Sequence, residues 1–252
     1  MIRLALFLTA LLSSGISLNL QAAEAPWYQV EVLIFANEDP SVLDDEFWPT
    51  ELSVPDSPKS ISLKTPTTTA QSFSAFERLP SSALLFNNEK QRIGRYDSFR
   101  VLFHAGWLQP VTSERYARQI HIKSGDILDN GMYELEGYIS IDKGRYLHFR
   151  PDLYHSRHLS PSEAEVLQHA EEQPPQQFTA LNTEETPQPQ EVSTPSAEIP
   201  GITSQVSPFS SEFLTVNMNQ GRRMRSKEIH YLDHPLMGIL VLMIPISEAK
   251  VQ

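Results

Sequence analysis

The sequence predicts an α+β fold: an antiparallel sheet with one long helix packed on a face, plus a disordered acidic, Pro-rich insertion. Three observations carry this expectation. Several short runs alternate apolar and polar residues between turn signals, the pattern of half-buried strands. One stretch, Ser81 to Ala105, instead places Leu85, Ile93, Tyr96, Phe99 and Phe103 near one helical face. Between Ser160 and Pro200 there is no Lys or Arg, while Glu163, Glu165, Glu171, Glu172, Glu184, Glu185, Glu191 and Glu198 share the segment with Pro161, Pro174, Pro175, Pro187, Pro189, Pro195 and Pro200. Such a composition buries too little apolar surface to offset chain entropy.

The elements follow in order. Arg3 precedes the apolar run Leu4–Leu12, and Gln21-Ala22-Ala23-Glu24-Ala25 closes it with small residues. This is a positive n-region, an apolar h-region and a signal-peptidase exit, so residues 1–23 are expected to be a cleaved leader, cut after Ala22 or Ala23. The run is shorter than the ~20 residues a membrane span needs, so no span is expected after leader removal. Residues 24–160 are expected to form the first part of a single domain, 161–210 the insertion, and 211–252 the strands that complete the domain.

Trp27–Phe35 is the clearest strand. Its first half alternates and its second half is continuously apolar, as in a strand buried on both faces. Residues 40–80 are loop-rich, punctuated by Pro49, Pro55, Pro58 and Pro66. The expected helix over 81–105 is followed by Gly106 as its stop and Pro110 soon after, with His104 as a cationic partner of the helix C-terminus. Arg118–Ile122 alternates. Tyr133–Ile141 and Arg145–Arg150 form a hairpin around Asp142-Lys143-Gly144. Phe213–Met218 and Arg222–Tyr231 are further strands, and the apolar run Leu236–Ile246 is a central, doubly buried one.

Composition narrows the chemistry. The chain has 252 residues and no cysteine. Disulfides, thiol catalysis, thiolate metal sites and a lipid-bearing N-terminal cysteine are therefore excluded. An exported chain without disulfides is held by its core alone, which fits a bacterial envelope. The formal net charge is −11. Loss of Arg3 and removal of the insertion's acids leave about −4 on the remainder, so the acidity belongs mostly to the insertion. No nucleic-acid partner is expected.

Several constellations bear on catalysis and binding. No GxSxG motif is present, and no HExxH. Asp152, His155, His158, His230, Asp233 and His234 offer oxygen and nitrogen ligands but no helix-borne metal spacing, and they read as surface residues. Glu134 and Glu136 lie two apart, as a carboxylate catalytic pair would, and also as the solvent face of a strand would. No catalytic or metal residue is assigned and no cofactor is expected. The basic run is the stronger signal: a strand through Arg222, Arg223, Arg225 and Lys227 sets Arg223, Arg225 and Lys227 in one row, about 6–7 Å apart. Arginine suits carboxylates through its bidentate fork. Trp107, Tyr133 and Tyr138 are candidate sugar-facing aromatics, and Trp107 with Gln109 is expected to line a contact beyond the helix stop. The alternative for the basic run is an edge strand protected by charge.

Five blocks together resemble a known family. They are Trp27–Phe35, Phe47-Trp48-Pro49, Phe99–Pro110, Leu135–Ile139 with Arg145–His148, and Arg222–Pro235. Apart from the acidic insertion and part of residues 50–80, the chain is similar over nearly its whole mature length to the CsiV family of gammaproteobacteria, periplasmic peptidoglycan-binding proteins of cell-shape integrity. The resemblance implies a non-enzymatic role: binding peptidoglycan in the periplasm and supporting its assembly with an outer-membrane lipoprotein that activates a bifunctional class A penicillin-binding protein. It implies no particular binding residues. Two other readings stand beside it, an adaptor without glycan affinity that reaches partners through the acidic tongue, and a carboxylate-dependent wall hydrolase.

Overall fold

The computed structural model describes residues 25–43, 52–66, 74–164 and 213–247. The expected leader, and the expected insertion beyond residue 164, lie outside the described residues.

Two sheets share one core. The first comprises β1 (Trp27–Asn37), β3 (Phe99–Pro110), β9 (Ile229–His234) and β10 (Met237–Ile246), in the order β3-β1-β10-β9. The second comprises β2 (Ile61–Ser62), β4 (Gln119–Ile127), β5 (Tyr133–Lys143), β6 (Leu147–His158) and β7 (Phe213–Met218), in the order β2-β4-β5-β6-β7. A short strand, β8 (Arg222–Met224), pairs with residues 147–149 of β6, on the side where β7 pairs with residues 153–158. Apart from the parallel β2–β4 contact, all these pairings are antiparallel.

Period-two alternation explains the core. Tyr28, Val30, Val32, Ile34 and Ala36 of β1 enter one cluster with Ile120, Ile122, Leu135, Ile139, Ile141, Phe149, Leu153 and Val216 of the second sheet. The opposite face of β1 is also covered: Leu33, Phe86 and Leu242 form a smaller cluster on the outside of the first sheet. This is why the second half of β1 reads as continuously apolar. Of the expected strands, β1 and β10 pair at the centre of their sheet from Trp27 with Ile246 to Ala36 with Met237.

The long helix is not there. A two-turn helix, α1 (Asn87–Ile93), ends at Gly94, and β3 begins at Phe99. Five apolar residues scattered over Ser81–Ala105 matched helical spacing by chance. After Ser98 the chain is a strand with buried residues on both sides, and continuous apolarity has no period to read. Gly106 is consequently not a stop but the middle of β3, opposite Glu31. A Cβ there would meet the Leu84 side chain at 2.8 Å. Its absence lets residues 79–84 lie against the strand, where the Leu79 amide donates to the Gly106 carbonyl at 2.7 Å.

The expected strand Arg222–Tyr231 is likewise divided. β8 belongs to the second sheet and β9 to the first, with the crossover at 225–228. Lys227 has φ 67°, which ends the alternation, and its amide donates to the Met243 carbonyl at 2.8 Å.

Candidate functional site

The outer face of the second sheet is built in cross-strand rows. Residues facing each other across paired strands share a face. The register therefore sets Asp142, His148 and Arg223 in one row and Gln119, Ser140 and Arg150 in the next. A third row holds His121, Tyr138 and Asp152, and a fourth holds Lys123, Glu136, Tyr154 and Asn217. Alternate residues of β6, from His148 to Tyr154, index the four rows over about 20 Å. Their inward neighbours Leu147, Phe149, Pro151 and Leu153 are buried.

Contacts within the rows and between neighbouring rows tie the face together. Asp142, 3 % exposed, accepts from Arg150 Nε at 2.6 Å and contacts His148 Nδ1 at 3.1 Å. Arg150 also lies 3.4 Å from Glu114. Glu136 meets Lys123 Nζ at 2.9 Å and His121 Nε2 at 3.0 Å. The His121 ring stacks on Tyr138 at 4.9 Å, and the Tyr138 hydroxyl accepts from the Ser57 amide at 3.1 Å, so residues near 57 lie over that corner. Asn217 donates to Asp152 at 3.0 Å. Partial burial and the neighbouring Asp152 carboxylate push the Tyr154 phenol above its ordinary pKa, leaving it a neutral hydroxyl beside an acceptor.

One end of this face is cationic. At the β5–β6 turn, Arg145 and Tyr146 are exposed. The Arg223 guanidinium lies 3.6 Å from the centre of the Tyr146 ring, and that of Arg145 lies 5.3 Å from it. A ring contact this close orients a guanidinium without consuming its N–H donors. Arg145, His148, Arg150 and Arg223 thus gather from two segments far apart in sequence.

Of the residues expected to bind, Arg223 lies on this face. Arg222 pairs with Phe149 and so lies on the other side of β8. Arg225 is in the crossover, its guanidinium 3.7 Å from Glu228 and its amide donating to His230 Nε2 at 3.0 Å. Lys227 is exposed in the same turn. The single row of three cations is therefore broken. Trp107 and Gln109 are core residues, 0 % and 1 % exposed, and the indole N–H donates to Gln109 Oε1 at 2.7 Å. Two apart on β3, they share its inner face rather than lying beyond a helix. Tyr133 sits under Lys123, whose Nζ is 5.1 Å from the ring centre.

Tyr154, His148 and Arg150 were missed. Their signal was present as alternation from Leu147 onward, but Pro151 concealed the second half of β6. Neither Glu134 nor Glu136 is a bare solvent carboxylate. Glu134 takes a bidentate grip from Arg100 at 2.7 and 3.0 Å and accepts the Asp126 amide. Burial acts against ionisation of Glu134, but these donors outweigh it and hold its pKa below the ordinary value. A carboxylate so held is poorly suited to donate a proton as a general acid. Asp152 and His155 point to opposite faces of β6. Among the described residues no cluster of three or more His, Cys, Asp or Glu is arranged to hold a metal.

A family model described as "Peptidoglycan-binding protein, CsiV" matches residues 3–246. No curated protein and no solved structure matches the chain.

Proposed function

The chain belongs to the CsiV family of peptidoglycan-binding proteins, and from that premise we propose that it binds peptidoglycan through the outer face of its second sheet. The observation that carries this reading is the row of mixed aromatic, amide and carboxylate groups along β6 ending in Arg150, Arg223 and Arg145. A glycan chain is a shallow, polar-edged ligand. Tyr154 offers a ring, while Asn217, Asp152 and Ser140 offer donors and acceptors for hydroxyl groups. Stem-peptide carboxylates are the fixed anions of the wall, and guanidinium forks at the cationic end match them.

In this reading the protein works in the periplasm after removal of its leader, and it has no catalytic role. It supports peptidoglycan assembly and cell shape by promoting a lipoprotein-activated bifunctional penicillin-binding protein. The similarity to the CsiV family is what supports that placement.

Co-sedimentation with purified sacculi tests the face directly. The wild-type chain should pellet at low salt and less so at high salt, because carboxylate contacts at an exposed face are screened. Arg145→Glu with Arg223→Glu, both exposed, should abolish pelleting while far-UV circular dichroism is unchanged. A folded double variant that pellets like the wild type would overturn the assignment.

A further inference from the structure

On the other side of the molecule, the outer face of the first sheet carries a cavity of about 310 Å³. Phe35, Tyr96, Phe99 and Tyr231 wall it, with Glu89 and Arg92 of α1 at its rim. The rings are arranged rather than scattered: Tyr231 stacks on Phe35 with planes 3° apart, and Phe99 meets Phe35 edge-on at 5.6 Å. Gly238 makes this possible, since a Cβ there would fall on the Phe35 ring. The Tyr231 hydroxyl donates to Asp233 at 2.6 Å, which holds that wall in place.

The two charges at the rim are unpaired. Neither Glu89 nor Arg92 has an ion-pair partner among the described residues. Glu89 Oε2 is shut off from solvent and accepts no hydrogen bond. An oxygen that has lost water without gaining a donor is under-satisfied. Aromatic walls with such a carboxylate form a setting for an ammonium group. Arg92, three residues on and on the same side of the helix, is placed about 5–6 Å away at the Cβ level and suits a carboxylate.

We infer that this pocket binds a free α-amino-acid head group, ammonium to Glu89 and the rings, carboxylate to Arg92, with its aliphatic stem over Ile93 and Leu240. Identifying the source as the free end of a diamino acid in an uncrosslinked stem peptide rests on the peptidoglycan reading above; the pocket chemistry does not. The site is separate from the sheet face that would hold the glycan, so the protein could sense uncrosslinked wall while bound to it.

The test is an amide-resolved NMR titration of the folded chain with meso-diaminopimelic acid, with pimelic acid, which lacks the ammonium groups, as the comparison. Saturable shifts should appear around Glu89, Arg92, Tyr96 and Tyr231, and pimelic acid should bind at least about tenfold more weakly. Glu89→Gln and Arg92→Gln, on a solvent-facing helix, should each weaken binding about tenfold, as expected for one charged hydrogen bond. Absence of saturable shifts, equal binding of pimelic acid, or unchanged binding in Glu89→Gln would overturn the inference. A chain that titrates but fails to pellet with sacculi keeps this pocket and removes the sheet-face assignment.

Discussion

Glu31 and His104 meet at 2.8 Å between neighbouring strands of the first sheet, with side chains only 1 % and 4 % exposed. The same carboxylate accepts the Leu85 amide at 2.7 Å and the Phe86 amide at 2.8 Å. One acidic side chain in the middle of β1 therefore anchors the segment that leads into α1, and with it one rim of the aromatic pocket.

Glu31→Ala leaves an imidazole and two amides without their acceptor in a site closed to water. Removing one partner of a buried polar network costs about 3–5 kcal/mol. Urea unfolding should show a loss of that order. A loss below about 1 kcal/mol would mean that the anchor is not what holds the 84–86 segment.

His155 should make the fold acid-sensitive. Burial pushes its pKa down to about 4, aided by the charges of Arg157 and Arg100, while the Glu134 carbonyl works the other way. Its Nδ1 meets that carbonyl at 2.8 Å and its Nε2 has no partner. The unfolded chain takes up a proton near pH 6.5, where the folded chain refuses it until about pH 4. Stability is thus fullest above pH 6.5 and falls as pH drops toward 4, by up to about 3 kcal/mol. His155→Leu should flatten the difference between unfolding midpoints at pH 7 and pH 4.5. An unchanged slope would show that other groups set it.

Glu163 acts in a lower window. Burial alone would raise its pKa, but a bidentate contact with Arg157 at 2.8 and 3.1 Å and the Ser160 amide bring it to about 2. A carboxyl lowered from about 4.5 on folding stabilises the protein above that pH and loses its contribution as pH falls toward 2. Glu163→Gln should lower the urea midpoint at pH 7 and have a much smaller effect at pH 2. Equal effects at both pH values would place the contribution in packing instead.

Gln109→Leu separates a core pair from a ligand contact. It strands the buried indole N–H of Trp107, at a cost of about 1–3 kcal/mol. Sacculus pelleting should be unaffected once the variant is folded. Lost pelleting at unchanged stability would return these two residues to the binding surface.

Gly238→Ala tests the pocket floor. The added methyl displaces the Phe35 ring, and overpacking of this kind costs about 1–3 kcal/mol. Titration by meso-diaminopimelic acid should be lost along with the stacked ring pair, which near-ultraviolet circular dichroism reports. Retained titration would mean that Phe35 is not part of the site.

Local pattern by itself determined β1, the β5–β6 hairpin, β7 and the apolar core of β10, because alternation and turn residues act between near neighbours. The five blocks, Phe99–Pro110 and Arg222–Pro235 the longest of them, together also marked the family. What the tertiary structure decided was phase and partnership. Continuous apolarity has no period, so whether 99–110 was strand or helix depended on whether both its faces would be covered, by the core and by residues 79–86. Alternation across Arg222–Tyr231 could not reveal that Lys227 turns the chain from one sheet to the other. Nor could it show that Arg223 would lie on Tyr146, or that Tyr231 would stack on Phe35. These pairs are brought together by strand register, and register depends on hydrogen bonds between segments that share no neighbourhood in the chain.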